Sequence, residues 1–326
     1  MIKYYSNGKL LLTGEYLVLD GALSLAIPTQ FGQSLTVESI DEQKLIWKSI
    51  NEIGNVWFED AFLLQNNEIL NQVQDDNDIS NRLIEILKAA KRLNPNFLNS
   101  KTGYKVTTKL DFPQFWGLGT SSTLIQNIAK WANVDAYQLL EHTFGGSGYD
   151  IACAQHDFPI TYQLKNEFTN EIPKHNSTAL SAIVQDDKKR KICKVNFNPT
   201  FKKHLYFVHL NRKQNSSDAI ARYNSNKNNL SVAISEISDI SSEMISRNSL
   251  ENFQSLLISH EAIISKIIKQ EPVKNLLFPD FNGAIKSLGA WGGDYILVTG
   301  NEESVNYFRE KGFHTIIPYS EMVLTR

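Results

Sequence analysis

The stretch Trp116-Gly117-Leu118-Gly119-Thr120-Ser121-Ser122-Thr123 decides how the rest of the chain is read. An extended run, Tyr104 to Leu110, precedes it, with Pro113 in the connection. An apolar-periodic run of Leu124, Ile125, Ile128, Ala129 and Ala132 follows. This order is strand, glycine turn, helix. The two glycines permit positive φ and let the backbone approach a ligand closely. The hydroxyl cluster stands where the helix starts. The first N–H groups of a helix lack internal partners and carry the positive end of its dipole, so they suit phosphate oxygens. Consecutive hydroxyls at that point can also ligate Mg²⁺. The plainer reading of the same residues is a glycine turn followed by a serine N-cap.

A chain of 326 residues can bury a large core, and about two domains are expected from its length. The formal net charge of −2 leaves no excess for a basic stripe, which argues against a general nucleic-acid surface. Cys153 and Cys193 form no disulfide or metal framework, and two thiols in so long a chain point to a reducing compartment. Met1 to Ser6 lacks the apolar region of a signal peptide. No apolar run approaches the ~18 residues of a membrane span. The expectation is a soluble cytoplasmic protein with a small-molecule substrate and no nucleic-acid or membrane partner.

Around the central stretch the chain reads in order. Lys9 to Pro28 predicts two short strands, Leu10–Leu12 and Tyr16–Leu19, with Asp20-Gly21 as the turn signal. Residues 31–60 predict a β-meander with a turn at 51–54, and 65–78 an exposed loop rich in Asn, Gln and Asp. Leu83, Ile86, Leu87, Ala90 and Leu93 predict a helix over 80–93, ended by Asn94-Pro95. A short helix over 135–142 starts at an Asp N-cap. Then comes Gly145-Gly146-Ser147-Gly148-Tyr149-Asp150, whose glycines force an irregular backbone. Asp150 opens the small-residue run Ile151–Ala154 and reads either as a helix cap or as a base held by a tight loop. Strands are expected at 160–164, 182–184 and 205–210, a charged turn at 185–191 and a polar loop at 211–229. Two helices, 230–247 and 249–269, are closed by Pro272. A third glycine-rich segment, Lys286 to Tyr295, leads directly into a strand at 296–299. A helix over 302–311 and a strand over 314–317 complete the chain.

Three glycine-rich segments in this order, with Lys9 ahead of them, resemble the GHMP family of small-molecule kinases. GKLLLTGEYLVLDGALSLAIP, which carries Lys9, resembles the family's first motif. PQFWGLGTSST resembles the second, the phosphate loop, and LGAWGGDY the third. GGSGYDIA resembles the loop that carries the catalytic aspartate of mevalonate and phosphomevalonate kinases, the latter more closely, and GYDIA also labels a bacterial subgroup of the family. The matches run from residue 9 to about 300.

The resemblance implies a two-domain α/β (α+β) GHMP kinase fold. A ribosomal S5 domain-2-like N-terminal domain would cover 1–200 and a ferredoxin-like C-terminal domain 201–326. ATP and Mg²⁺ are the implied cofactors. Carried over residue by residue, Gly117, Leu118, Gly119, Thr120, Ser121 and Ser122 would cradle the triphosphate. Ser121 would ligate Mg²⁺, with Glu141 as a second ligand set closer to Asp150 than the family's spacing. Asp150 and Lys9 would be catalytic. Glu15, Ser147, Gly148, Gly289, Ala290, Trp291 and Gly292 would line the acceptor, and Arg212, Lys213 or Arg222 could bind a phosphate on it. The implied activity is phosphoryl transfer to mevalonate, phosphomevalonate or a related alcohol or phosphate, by a monomer or homodimer. Trp291 departs from the family, which has glycine there, so a weak or inactive nucleotide-binding homologue is an alternative. Thr120 in place of serine is a milder departure, and Trp116 stands where small residues are usual, placed to stack near adenine or to pack. A mevalonate diphosphate-type decarboxylase is a further alternative, which the loop GSGYD disfavours.

Overall fold

The computed structural model describes residues 1–65, 68–71, 78–99, 102–165, 180–212, 216–227, 229–246 and 249–325. Two compact units are present, each assembled from separate stretches of chain. Unit 1 comprises Met1–Gly8, Phe31–Gln114 and Leu118–Gln155; unit 2 comprises Lys9–Gln30, Phe115–Gly117 and His156–Arg326.

Unit 1 is a sheet with a helical layer. Its strands are β2 (Ser24–Ile40, from residue 31 on), β3 (Lys44–Ile50), β4 (Val56–Gln65), β5 (Glu68–Asn71) and β6 (Gly103–Leu110). Their order is β5-β4-β3-β6-β2, and β1 (Ile2–Leu11) also pairs with β2. All these neighbours for which a register is defined are antiparallel except β3 and β6, which run parallel from Leu45↔Tyr104 to Ile50↔Lys109. A parallel pair needs a long crossover, and α1 (Asp78–Leu93) lies in it. Leu45, Trp47 and Ser49 on β3 and Val106, Thr108 and Leu110 on β6 are buried, the period-2 pattern of a half-covered sheet. Helix α2 (Thr120–Ala132) packs on α1, on α3 (Ala136–Glu141) and on α4 (Tyr149–Gln155).

Buried polar contacts pin α2 to the sheet. The Thr123 hydroxyl donates to Gln33 Oε1 at 2.8 Å, Asn127 Nδ2 donates to the Gln33 carbonyl at 2.9 Å, and the Ser6 hydroxyl donates to Asn127 Oδ1 at 2.8 Å. Buried polar groups left unpaired would cost about 1–3 kcal/mol each, so this set fixes the helix in one register against β2.

Unit 2 holds the first part of β2, followed across the sheet by β7 (Ile160–Leu164), β9 (Arg190–Val195) and β8 (Leu180–Asp186), all antiparallel. A second antiparallel sheet has the order β11-β12-β10-β13, with β10 at Leu205–His209, β11 at Ile285–Ser287, β12 at Tyr295–Thr299 and β13 at Ile316–Pro318. Its helices are α5 (Ser216–Asn226), α6 (Ser231–Ser246), α7 (Leu250–Ile268), α8 (Val273–Leu277), α9 (Glu302–Glu310) and α10 (Tyr319–Met322). One core cluster joins Val208, Ile285, Ile296 and Val298 to Phe278, Phe281 and Phe308. No described helix is long and apolar enough to cross a membrane.

Several local expectations change. Tyr16–Leu19 is not a strand: Leu17–Asp20 is a 3₁₀ turn closed by Gly21 at φ 95°. Its apolar run is too short for its period to separate strand from helical turn. The polar segment after Leu210 forms α5, held by fully buried Tyr223, although Lys213 lies outside the described residues. Within the expected loop at 65–78, Glu68–Asn71 pairs with β4, while 66–67 and 72–77 lie outside the described residues. The charged turn is confined to its centre, since Arg190–Val195 continues as β9.

Candidate active site

In unit 1 the glycine–hydroxyl stretch at the start of α2 is built by a change of backbone hand. Gly119 takes φ 89° as the N-cap of α2, and no side chain caps the helix. The Ser122 hydroxyl turns back to the Gly119 carbonyl at 2.8 Å, and the Thr123 N–H donates to the same carbonyl at 3.0 Å. The N–H groups at the start of α2 have no intrahelical acceptor and face the anion-attracting end of its dipole. Leu118 is fully buried, so only its backbone can serve a ligand. Ser121 is exposed, unlike Ser122 and Thr123, which are buried. Of the hydroxyl cluster, Ser121 is thus the exposed residue at the helix start, with Thr120 half-buried.

The second glycine loop lies in the same unit. Gly145, Gly146 and Gly148 have φ of 66°, 100° and 86°, and the chain then enters α4. Asp150 stands in the first turn of α4, where its Oδ1 accepts the Ile151 N–H at 3.1 Å. Ile151 to Ala154 are buried and α4 packs on α2, so the aspartate is anchored to the same helix that follows Gly119. Glu141 is the exposed last residue of α3, whose first turn is capped by Asp135 accepting the Gln138 N–H at 2.8 Å. Among the described residues no group of three or more His, Cys, Asp or Glu side chains is arranged to hold a metal ion. Mg²⁺ commonly takes one or two protein ligands and completes its shell with phosphate oxygens and water, so an exposed serine at a helix start, such as Ser121, fits that ion.

In unit 2 three further segments converge. The Lys9 ammonium donates to the Gly117 carbonyl at 3.5 Å. A Cβ on Gly117 would sit 2.5 Å from the carboxyl carbon of Asp294, and one on Gly289 would sit 3.2 Å from Asp294 Oδ2. Glycine is required at 117 by this contact as well as by its φ of 69°. The Asp294 N–H donates to the Arg212 carbonyl at 2.7 Å and its carbonyl accepts the Leu210 N–H at 2.8 Å, which ties the third glycine loop to the end of β10. Trp291 and Asp294 both adopt φ 52°, and Trp291 is buried at 1 % exposure. Trp116 packs edge-on against Tyr295 at 5.9 Å and tilts over His209 at 6.4 Å, so within this unit its ring is part of an aromatic cluster.

Glu15 is turned inward. It is 2 % exposed and its carboxylate accepts from the fully buried Lys286. Asp294, Lys286, His260 and Glu261 are the residues of this region to which the sequence alone assigned no role. A lysine inside an apolar strand segment, Ile285-Lys286-Ser287, was the available signal, because a buried lysine demands a partner.

No family model matches the sequence, and none of the curated proteins matches it. Solved structures do. Phosphomevalonate kinase of Streptococcus pneumoniae, in complex with phosphomevalonate and AMPPNP, aligns at a TM-score of 0.67 and 16% identity over 98% of this chain and 100% of that one. Mevalonate kinase of Methanococcus jannaschii aligns at 0.61 and 15% identity over 97% and 98%. Galactokinase of Lactococcus lactis, complexed with galactose, aligns at 0.63 and 12% identity over 94% and 87%. The fold is that of the GHMP kinases. At these identities the likeness establishes the architecture and leaves chemistry to the residues.

Proposed function

We propose that the chain is an ATP-dependent kinase that transfers the γ-phosphoryl group to a hydroxyl or phosphate of a small molecule resembling mevalonate or phosphomevalonate. The observation that carries this reading is the uncapped N-terminus of α2, with Gly119 at positive φ and Ser121 exposed. The pentapeptide Gly148–Ala152 supports the GYDIA-type subgroup. Backbone N–H groups of 119–122 offset the charge of the β- and γ-phosphates, and Ser121 with Glu141 holds the Mg²⁺. MgATP, when bound, supplies the phosphoryl group and neutralises part of its own charge. The chain's own task is then positioning and electrostatics. Asp150 accepts or orients the acceptor's hydroxyl proton, and Lys9 contributes positive charge to the incipient alkoxide. Ser147, Gly148 and the 289–292 loop line the acceptor, with Trp291 limiting its size. Arg212 or Arg222 pairs with a phosphate on the acceptor.

An ATP-consumption screen over mevalonate, phosphomevalonate, homoserine and sugars tests the proposal. Turnover with one of them is expected. Absence of both turnover and MgATP binding by calorimetry would refute it. MgATP binding without turnover would favour the alternative that Trp291 at φ 52° suggests, a nucleotide-binding homologue that has lost catalysis.

A further inference from the structure

Helix α7 grips two of the glycine segments with consecutive residues. His260 Nε2 accepts the Gly14 N–H at 2.9 Å. Glu261 Oε1 accepts the Ser287 N–H at 3.0 Å, and its Oε2 lies 3.0 Å from the Ser287 hydroxyl. Lys286 then closes the circuit, donating to the Glu15 carboxylate and, at 2.9 Å, to the Ser287 carbonyl. Glu15, Lys286, His260 and Glu261 are all at most 4 % exposed. Burial holds the His260 imidazole well below its usual value, so the ring is neutral and its Nε2 is an acceptor. The 3.2 Å approach of Glu15 Oε2 to that nitrogen is therefore not an ion pair, and the charge on Glu15 is met by Lys286 alone.

Stability is a weak reason for such a cluster. Desolvating each ion costs several kcal/mol, and well-packed apolar replacements are often neutral or stabilising. What a buried pair does enforce is alignment, since a shift of either segment leaves a charge buried and unpaired. One segment carries Lys9 six residues before Glu15, and the other carries Trp291 five residues after Lys286. We propose that the Glu15–Lys286 pair, seated on His260 and Glu261 of α7, positions the Lys9 segment and the 288–294 loop relative to one another for binding the acceptor. The proposal rests on the kinase reading above. Glu15 and Lys286 act here as positioning residues that need not touch the substrate.

The test replaces both charges at once, Glu15→Leu with Lys286→Met, so that no buried ion is left alone. Positional errors of about 1 Å can cost about 10²-fold in rate, so acceptor kcat/KM should fall by about 10–10²-fold. KM for MgATP should change much less, because neither substitution falls in residues 117–122 and those segments meet that stretch only at Gly117 among the contacts described above. Amide hydrogen exchange over 12–16 and 287–293 should quicken by about tenfold, with 118–126 unchanged. If the double variant does not fold, His260→Phe keeps a ring and removes only the acceptor of the Gly14 N–H, and the same acceptor-specific loss is expected. A folded variant with wild-type exchange in both segments and wild-type acceptor kcat/KM overturns the proposal. So does an equal loss toward MgATP and acceptor, which marks a purely structural pair. Should the wild type phosphorylate no acceptor, the kinase reading fails, and the exchange measurement alone decides whether the pair positions the two segments.

Discussion

Trp291 combines two opposing costs at one residue. A left-handed backbone costs a non-glycine residue about 1–2 kcal/mol, whereas truncating a buried aromatic side chain costs about 3–5 kcal/mol. Packing wins, so Trp291→Gly should lower stability by about 2 kcal/mol even though it removes the strain at φ 52°. The same change should alter the ratios of kcat/KM across a panel of acceptors, because Trp291 belongs to the 289–292 loop that is proposed to line the acceptor. Unchanged ratios would remove Trp291 from the acceptor site. Asp150 offers a cleaner separation of structure from chemistry. It lies in the first turn of α4, where a negative charge is worth about 0.3–1 kcal/mol to the helix. Asp150→Asn keeps size and hydrogen-bonding capacity, so the melting temperature should barely move. If the carboxylate accepts or orients the hydroxyl proton, kcat should drop by about 10²–10⁴-fold. Near-wild-type turnover in this variant would shift the chemistry to a substrate-assisted route supported by Lys9.

Helix α2 is the element on which the proposed nucleotide binding rests. Gly119→Val places a β-branched residue at φ 89°, a conformation such residues avoid, and so disturbs the start of α2. MgATP affinity measured by calorimetry should collapse; an undiminished affinity would detach the loop from phosphate binding. Ser121→Ala leaves the backbone alone and should lower kcat more than it raises KM for ATP, since a metal-bound hydroxyl matters most as charge moves. A rise in KM with kcat intact would assign that hydroxyl to ground-state binding. The strand–turn–helix unit from Gly103 to Ala132 was legible in sequence because periodicity, glycines and apolar spacing all agree there. Helices α6 and α7 were legible for the same reason, within a residue or so at each end. Segments with weak local signals were not. Helix α5 has only Ala219 and Tyr223 as buried apolar anchors among the residues whose side chains are described, and its polar composition resembles a loop. The polar cluster on α7 was hidden differently: His260 and Glu261 are ordinary helix residues until Gly14 and Ser287, distant in sequence, are brought to them.

For the molecule as a whole, that cluster predicts how stability depends on pH. Burial pushes the Glu261 carboxyl up to about 8 against an ordinary 4.5, with the Lys286 charge pulling the other way. Burial also raises Glu15, again opposed by Lys286. A carboxyl with a raised native value lends stability in full below its unfolded value and loses it as pH climbs toward the native one. His260 has the reverse sense: its depressed native value lends stability above 6.5, the ordinary value, and that contribution fades as pH falls below it. Above pH 6.5 the imidazole is therefore silent, and both carboxyls act in one direction. Stability should decline between pH 6.5 and 8, by an amount on the order of 1–2 kcal/mol from Glu261 alone. Below pH 4.5 only His260 remains of the three, and stability should decline with acid. The measurement is urea unfolding at a series of pH values for the wild type and for Glu261→Gln. The glutamine keeps a carbonyl for the Ser287 N–H and cannot ionise, so it should reduce the alkaline slope to what Glu15 contributes and leave the acid side intact. An alkaline slope that persists undiminished in Glu261→Gln would show that Glu261 is already ionised at neutral pH. Three charged groups, not two, would then share the buried cluster, and a cluster with net negative charge would need the imidazole protonated, which the Gly14 N–H pointing at its Nε2 does not allow.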